Sequence, residues 1–148
     1  MRRQVVLRFF LMKSVLPRVS VWIAALWWGS LTTVGFYVVP MLFAHLPSPA
    51  MAGNMAAKLF AAQTWVALVC GLLLLLVSRS NRPLAQVERD QEAIVFIVSG
   101  MLLALLSELV VAPRIVAREN LPLWHSVGVG LYLAQWFCAG LTFKKLLG

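Results

Sequence analysis

Charged residues are scarce in this 148-residue chain, and that scarcity excludes an ordinary soluble domain. Only 12% of the residues are Asp, Glu, Lys or Arg, while 61% are hydrophobic. Soluble domains carry about a quarter charged residues and about half apolar ones. Disordered chains have the opposite bias, with few apolar residues. The composition therefore indicates a membrane protein.

Cysteine is also rare, and acidic residues are far outnumbered by basic ones. Cys70 and Cys138 lie inside apolar runs and form no CxxC pair, which disfavours a disulfide framework or a zinc knuckle. Thirteen Lys and Arg against five Asp and Glu leave a formal net charge of +8. Most of the basic residues flank apolar runs and are not interleaved with aromatic ones, so we predict no nucleic-acid partner.

Recognisable motifs of soluble catalysis are missing as well. The sequence contains no Walker loop, no GxSxG turn and no HExxH zinc motif. We therefore expect a non-enzymatic role.

What the chain does have is four long apolar runs, near residues 19–46, 59–78, 93–112 and 123–143. Each is near or above the roughly 20 residues that cross a hydrocarbon core as a helix. The runs lack the alternation of membrane strands. The sequence predicts an all-α integral membrane four-helix bundle, with residues 1–148 forming one domain.

The basic residues predict the orientation of this bundle. Ten lie before the first run, between the second and third, or after the fourth, whereas only Lys58, Arg114 and Arg118 lie on the other side. The positive-inside rule then places both termini in the cytoplasm and the loops near 46–58 and 113–123 outside. We expect an uncleaved anchor in a bacterial inner (plasma) membrane, with the lipid bilayer as partner. The polar segment at 79–92 predicts a solvated cytoplasmic turn.

The two halves of the chain resemble each other weakly. VVPMLFAH at 38–45 aligns with VAPRIVAR at 111–118, and LFAAQ at 59–63 aligns with LYLAQ at 131–135. Each half is a two-span hairpin, so the repeat is parallel, with its axis along the membrane normal. Chance similarity between apolar helices is the alternative explanation.

Two prolines, Pro40 and Pro113, lie near the outer ends of the first and third spans. Proline removes a backbone hydrogen bond, and the freed carbonyl needs another partner inside a membrane. The outer third of the bundle is therefore the predicted place for an irregular polar pocket. Eight polar residues fall in the outer half of the bundle: Thr33, Tyr37, Gln63, Thr64, Ser107, Glu108, Tyr132 and Gln135.

Of these polar residues, Glu108 is the one whose insertion into a membrane costs the most free energy. An acid at mid-helix costs about 2.5–3.5 kcal/mol on insertion scales and usually faces the bundle interior. Ala104 and Gly100, one and two turns earlier, let a neighbouring helix approach closely. Glu108 is either a proton carrier or ligand group, or a structural link hydrogen-bonded to Gln63, Tyr132 or a threonine.

The only two histidines, His45 and His125, fall at the outward ends of the first and fourth spans, and Met41 is close to His45. Imidazole with thioether suits Cu(I), and two imidazoles suit haem iron. The simpler explanation, which we favour, is that both histidines are ordinary interfacial residues.

Four segments, LWWGSL, FYVVPMLF, AGNMAAKLF and VAPRIVARENLPLWHSVGVGLYLAQ, resemble the transmembrane protein 205-like family. That family comprises four-span membrane proteins of largely unknown function, and the resemblance covers residues 19–143. Ser126 stands where the family often has glycine. The positions that match its pattern are Pro40, Phe43, Gly53, Phe60, Pro113, Arg114, Arg118 and His125.

The family is distantly similar to the copper resistance D membrane domain and to a four-span haem-binding protoporphyrinogen oxidase. This similarity implies a histidine-based site at the outer face, although His45 has no counterpart in the family.

Three functions follow as hypotheses. The first is a non-enzymatic accessory protein that binds another membrane protein or a second copy of itself. The second is a copper- or haem-handling protein with His125, His45 and Met41 as candidate ligands. The third is a proton-coupled exporter that uses Glu108, although small four-span exporters place their essential acid in the first span.

Overall fold

A computed structural model describes the backbone of residues 2–80 and 87–147 and the side chains of residues 18–78 and 91–147. These ranges consist of helices and short connections and contain no strand. In chain order the elements are α1 (Arg2–Thr33), π1 (Val34–Val38), α2 (Val39–His45), α3 (Pro49–Ser80), α4 (Val87–Leu106), π2 (Ser107–Val111), α5 (Ala112–Val116) and α6 (Leu121–Leu147). Part of the predicted turn at 79–92 lies outside the described residues.

The four helical columns are long and apolar enough to cross a membrane: Arg18–His45, Pro49–Ser78, Gln91–Val116 and Leu121–Leu147. Their 26 to 30 residues extend over about 39–45 Å at the rise of an α-helix. A hydrocarbon core is about 30 Å thick. The all-α four-helix prediction is confirmed, and the chain is an integral membrane protein by the length and composition of its helices.

The connections between the columns are shorter than the sequence predicts. The second column begins at Pro49 rather than near residue 59, because proline suits the first helical position and the Ser48 hydroxyl accepts a hydrogen bond from Met51 N at 3.3 Å. The third column continues past Pro113 to Val116. It ends in a turn at 117–120, where Arg118 has a left-handed φ of 56°.

Each column packs against two neighbours, so the four form a closed ring. α1 contacts α3 and α6, and α4 contacts the same two helices. Trp27 is fully buried at the centre, and its indole lies against Gly100 of α4. A Cβ at Gly100 would lie 2.7 Å from Cη2 of Trp27, so only glycine leaves room for the ring.

Large apolar side chains cover the outside of this ring. Trp22, Leu76 and Leu109 are each exposed by more than three fifths of their surface. A soluble protein rarely exposes so much contiguous apolar surface, whereas a lipid bilayer covers it.

The two π-helical segments occupy matching places in the two hairpins. π1 ends two residues before Pro40, and π2 ends two residues before Pro113. Proline lacks an N–H and its ring clashes with the carbonyl four residues earlier, so a widened turn relieves the helix at that point. The internal repeat stays a prediction. Both halves nevertheless share a π-helical turn that ends two residues before a proline.

We predict that Gly100→Ala destabilises the bundle by about 1–3 kcal/mol, because the added methyl meets the buried Trp27 ring. Gly130 is the matched control, since a Cβ there has no neighbour within 4 Å. Gly130→Ala should be neutral or stabilising by up to about 1 kcal/mol. Unfolding in mixed detergent micelles measures both, and equal stabilities would contradict the packing.

Candidate functional site

A cavity of about 310 Å³ opens between the tips of the two hairpins. α2 packs against the start of α3 to form one tip, and α5 packs against α6 to form the other. We call the space between the tips the cleft. Its walls near the loops are largely apolar and include Val39, Gly53, Ala57, Ile115, Val116, Gly128 and Val129.

The floor of the cleft is polar. Six residues line it, from three of the four columns: Gln63, Thr64, Ser107, Glu108, Tyr132 and Gln135. The first column contributes backbone and apolar contacts there, through Gly35 and Phe36. The structure thus brings together most of the polar layer that the sequence predicts.

Thr33 and Tyr37 do not join this floor. Thr33 is exposed and its hydroxyl donates to the Gly29 carbonyl at 2.9 Å, while Tyr37 is 64% exposed. A hydroxyl on a helix can satisfy itself on the preceding turn, so polarity alone does not show which face points inward.

Several floor residues donate their hydrogen bonds away from the cleft. The Tyr132 hydroxyl donates to the Leu31 carbonyl at 2.7 Å, and the Thr64 hydroxyl donates to the Phe60 carbonyl at 3.2 Å. Gln63 Nε2 donates to the Ser30 hydroxyl at 2.9 Å. The Tyr132 and Gln63 bonds attach the floor to the first column, whereas the Thr64 bond lies within its own helix. The Gln63 and Thr64 oxygens keep lone pairs available, and the Tyr132 oxygen lies against Gly35.

Two floor atoms have no partner at all among the described residues. They are Nε2 of Gln135, whose side chain is 97% buried, and the Ser107 hydroxyl. A buried polar group without a hydrogen bond costs about 1–3 kcal/mol. Such groups are rare in folded proteins, and at a cavity wall a water, an ion or another bound molecule can satisfy them.

Glu108 also lacks a partner within the described part of the chain. It lies in π2, is half-buried and lines the cleft. Gln63 and Tyr132, which the sequence suggested as its hydrogen-bond partners, bond to Ser30 and Leu31 instead. The structure therefore leaves the Glu108 carboxyl group for the cleft.

The nearest cation along the chain does not compensate Glu108. Arg114 Nη1 donates to the Val110 carbonyl at 2.6 Å, and its guanidinium lies 4.5 Å from the centroid of the Trp124 ring. Arg114 is not part of the cleft lining. Its contacts hold α5 against α6 and stabilise the tip after Pro113.

Aromatic side chains are the feature that the sequence reasoning missed. Phe36, Phe43, Phe60 and Tyr132 all line the cleft, and the Phe60 and Tyr132 rings meet edge to face with centroids 5.2 Å apart. Phe43 and Phe60 were matched only as family positions. Apolar helices contain many aromatic residues, so the sequence offered no signal that these four converge.

Of the candidate metal ligands, only His125 lines the cleft. His125 lies on the cleft wall and is exposed, whereas His45 and Met41 are exposed on α2 and do not line the cleft. His45 Nδ1–H donates to the Met41 carbonyl at 3.0 Å. No three His, Cys, Asp or Glu side chains in the described ranges are grouped to hold a metal. A two-histidine copper or haem site stays a prediction.

Fold and cleft together define a class: a four-helix integral membrane protein with a polar-floored cavity at one end. The chain belongs to the family described as domain of unknown function DUF4149, whose model matches residues 22–121. The matched part contains Gln63, Ser107 and Glu108 and ends before Tyr132 and Gln135. No curated protein and no solved structure matches the chain.

We predict that Tyr132→Phe lowers the stability of the bundle by about 1 kcal/mol, because it removes the hydrogen bond to Leu31. Tyr37→Phe is the control, since Tyr37 is exposed and has no such bond. Detergent unfolding of the two variants measures the difference. If both variants are as stable as the wild type, the Tyr132 hydroxyl does not anchor the floor.

Proposed function

We propose that the protein binds a small, largely apolar molecule in the cleft, with the polar group of that molecule against Glu108 and Gln135. The observation that carries the proposal is the buried, unpartnered Gln135 amide at the wall of a 310 Å³ cavity. Ligand pockets range over about 300–1,000 Å³, are mostly apolar and carry a few convergent polar groups. The cleft has each of these properties.

This proposal replaces the accessory role as the leading hypothesis, because Gln135 and Ser107 present unpaired polar groups to a cavity of ligand size. We infer further that both termini are cytoplasmic, as the basic residues predict, in a bacterial inner membrane. The cleft then faces the outer half of the bilayer. The resemblance to the transmembrane protein 205-like family is compatible with this function but names no ligand.

Filling the cleft tests the proposal. Ala57 lines the cleft, whereas Ala62, on the same helix, is exposed to lipid. Ala57→Phe should weaken binding of the probe 4-phenylbutanol at least about tenfold, because the added ring takes the space of the probe. Ala62→Phe should leave binding unchanged. Titration calorimetry on protein in lipid nanodiscs, with empty nanodiscs as the blank for partitioning, measures both.

Two results would contradict the proposal. One is an equal loss of binding in the Ala57 and Ala62 variants. The other is no saturable binding of any phenylbutyl probe to the wild type, which would return the accessory role to first place. Pull-down of a stable complex, or of a second copy, would then be the next measurement.

Proton-coupled export is a second candidate, and the unpaired Glu108 is the observation that favours it. An acid inside a membrane bundle marks a substrate or proton path more often than most buried polar residues do. π2, where Glu108 lies, is the kind of widened turn that often occurs at functional sites. A carboxyl group that binds either a proton or a substrate couples the two.

Uptake into proteoliposomes tests export. We expect a pH gradient to drive uptake of the membrane-impermeant (4-phenylbutyl)trimethylammonium ion. Glu108→Gln should abolish this uptake, because an amide cannot exchange a proton, while Glu108→Asp should retain part of it. Protein-free liposomes are the control. Wild-type protein that binds the ion but gives no uptake above this control would refute export and leave binding intact.

A further inference from the structure

Among the described residues, only one side chain with a formal charge lines the cleft, and it is negative. Among the lining residues, Glu108 is the single member of the Asp, Glu, Lys and Arg group. The protein as a whole carries a net charge of +8. Arg114, the basic residue next along the helix, is engaged by Trp124 and the Val110 carbonyl. The negative charge therefore acts on whatever occupies the cleft.

The neutral polar groups of the floor add to this bias. The hydroxyl protons of Tyr132 and Thr64 are both donated to backbone carbonyls. Gln63 donates its amide nitrogen to Ser30, which leaves its carbonyl oxygen as the unused end. Gln63 and Thr64 can still offer a ligand oxygen lone pairs, whereas the Gln135 amide nitrogen is an unused donor and the Ser107 hydroxyl can donate or accept. A ligand with N–H or O–H donors fits the Gln63 and Thr64 oxygens, and the Glu108 carboxylate disfavours an anion.

The apolar lining points to the same chemistry. Phe36, Phe43, Phe60 and Tyr132 all line the cleft. The faces of aromatic rings attract cations, most strongly where water is excluded. Rings also provide the apolar contact that holds a hydrocarbon body.

We infer that the cleft takes a lipophilic ammonium ion: a protonated primary or secondary amine with an aromatic or alkyl body. The N–H groups lie against Glu108 and the oxygens of Gln63 and Thr64, and the body lies among the phenylalanine rings. This inference rests on the proposed binding function and names the chemical class of its ligand.

Three probes of similar size and different charge test the inference: 4-phenylbutylamine, 4-phenylbutanol and 4-phenylbutyrate. Calorimetry at pH 7 in zwitterionic nanodiscs, with empty nanodiscs as the blank, gives each Kd. We expect the amine to bind at least about tenfold more tightly than the alcohol, since hydrogen bonds to a charged group are the stronger ones. The acid should bind more weakly than the alcohol.

Two variants assign the preference to Glu108. Glu108→Gln should bring the amine to the affinity of the alcohol, while alcohol binding within about twofold of wild type shows that the cleft is intact. Glu119→Gln is the control for general attraction of cations, because Glu119 is exposed in the turn at the same end of the bundle. It should leave the amine preference unchanged.

The outcomes separate this inference from the function on which it rests. Equal binding of amine and alcohol to the wild type, or an amine preference that survives Glu108→Gln, overturns the ammonium ligand and leaves cleft binding standing. Binding of none of the three probes overturns the binding function itself.

Discussion

The need to satisfy every backbone hydrogen bond inside hydrocarbon is the constraint on which this structure depends. Regular helices meet it for most of the chain, but Pro40 and Pro113 each remove one donor. The chain responds with a π-helical turn just before each proline. Beyond these turns the hairpins pair as separate tips, α2 with α3 and α5 with α6. The cleft lies between these tips. The cavity therefore opens at the end of the bundle where the two prolines interrupt the regular helices.

Packing decides where this opening stops. Trp27 fills the centre of the ring against Gly100, and the buried side chains around it close the bundle toward the termini. On the loop side of this packed centre, the floor contains Gln135 and Glu108, which have no hydrogen-bond partner in the described part of the chain. Unpaired polar groups lower the stability of a folded protein, and departures from local rules of this kind concentrate at functional sites. Apolar packing around Trp27 offsets the stability that the unpaired floor groups cost.

For the polar layer, the sequence predicts the depth of each residue in the bundle but not the direction in which its side chain points. Counting residues from the loops placed Glu108 and Gln135 at one depth, because helical rise is constant. It also placed Thr33 and Tyr37 there, and both face outward. Depth follows from position along a helix, but direction depends on how the helix rotates against its neighbours. An apolar helix with scattered polar residues carries little information about that rotation.

The sequence by itself determined the membrane environment, the four helices and the approximate depth of their polar residues. These follow from local properties: run length, hydropathy and the absence of alternation. Only the tertiary structure decided that four aromatic rings line the same cleft as Glu108, that its expected partners bond elsewhere, and that His45 lies outside the cleft. Each of these depends on contacts between residues far apart in the chain. The sequence does not predict such contacts here, because lipid-facing and core-facing positions are both apolar.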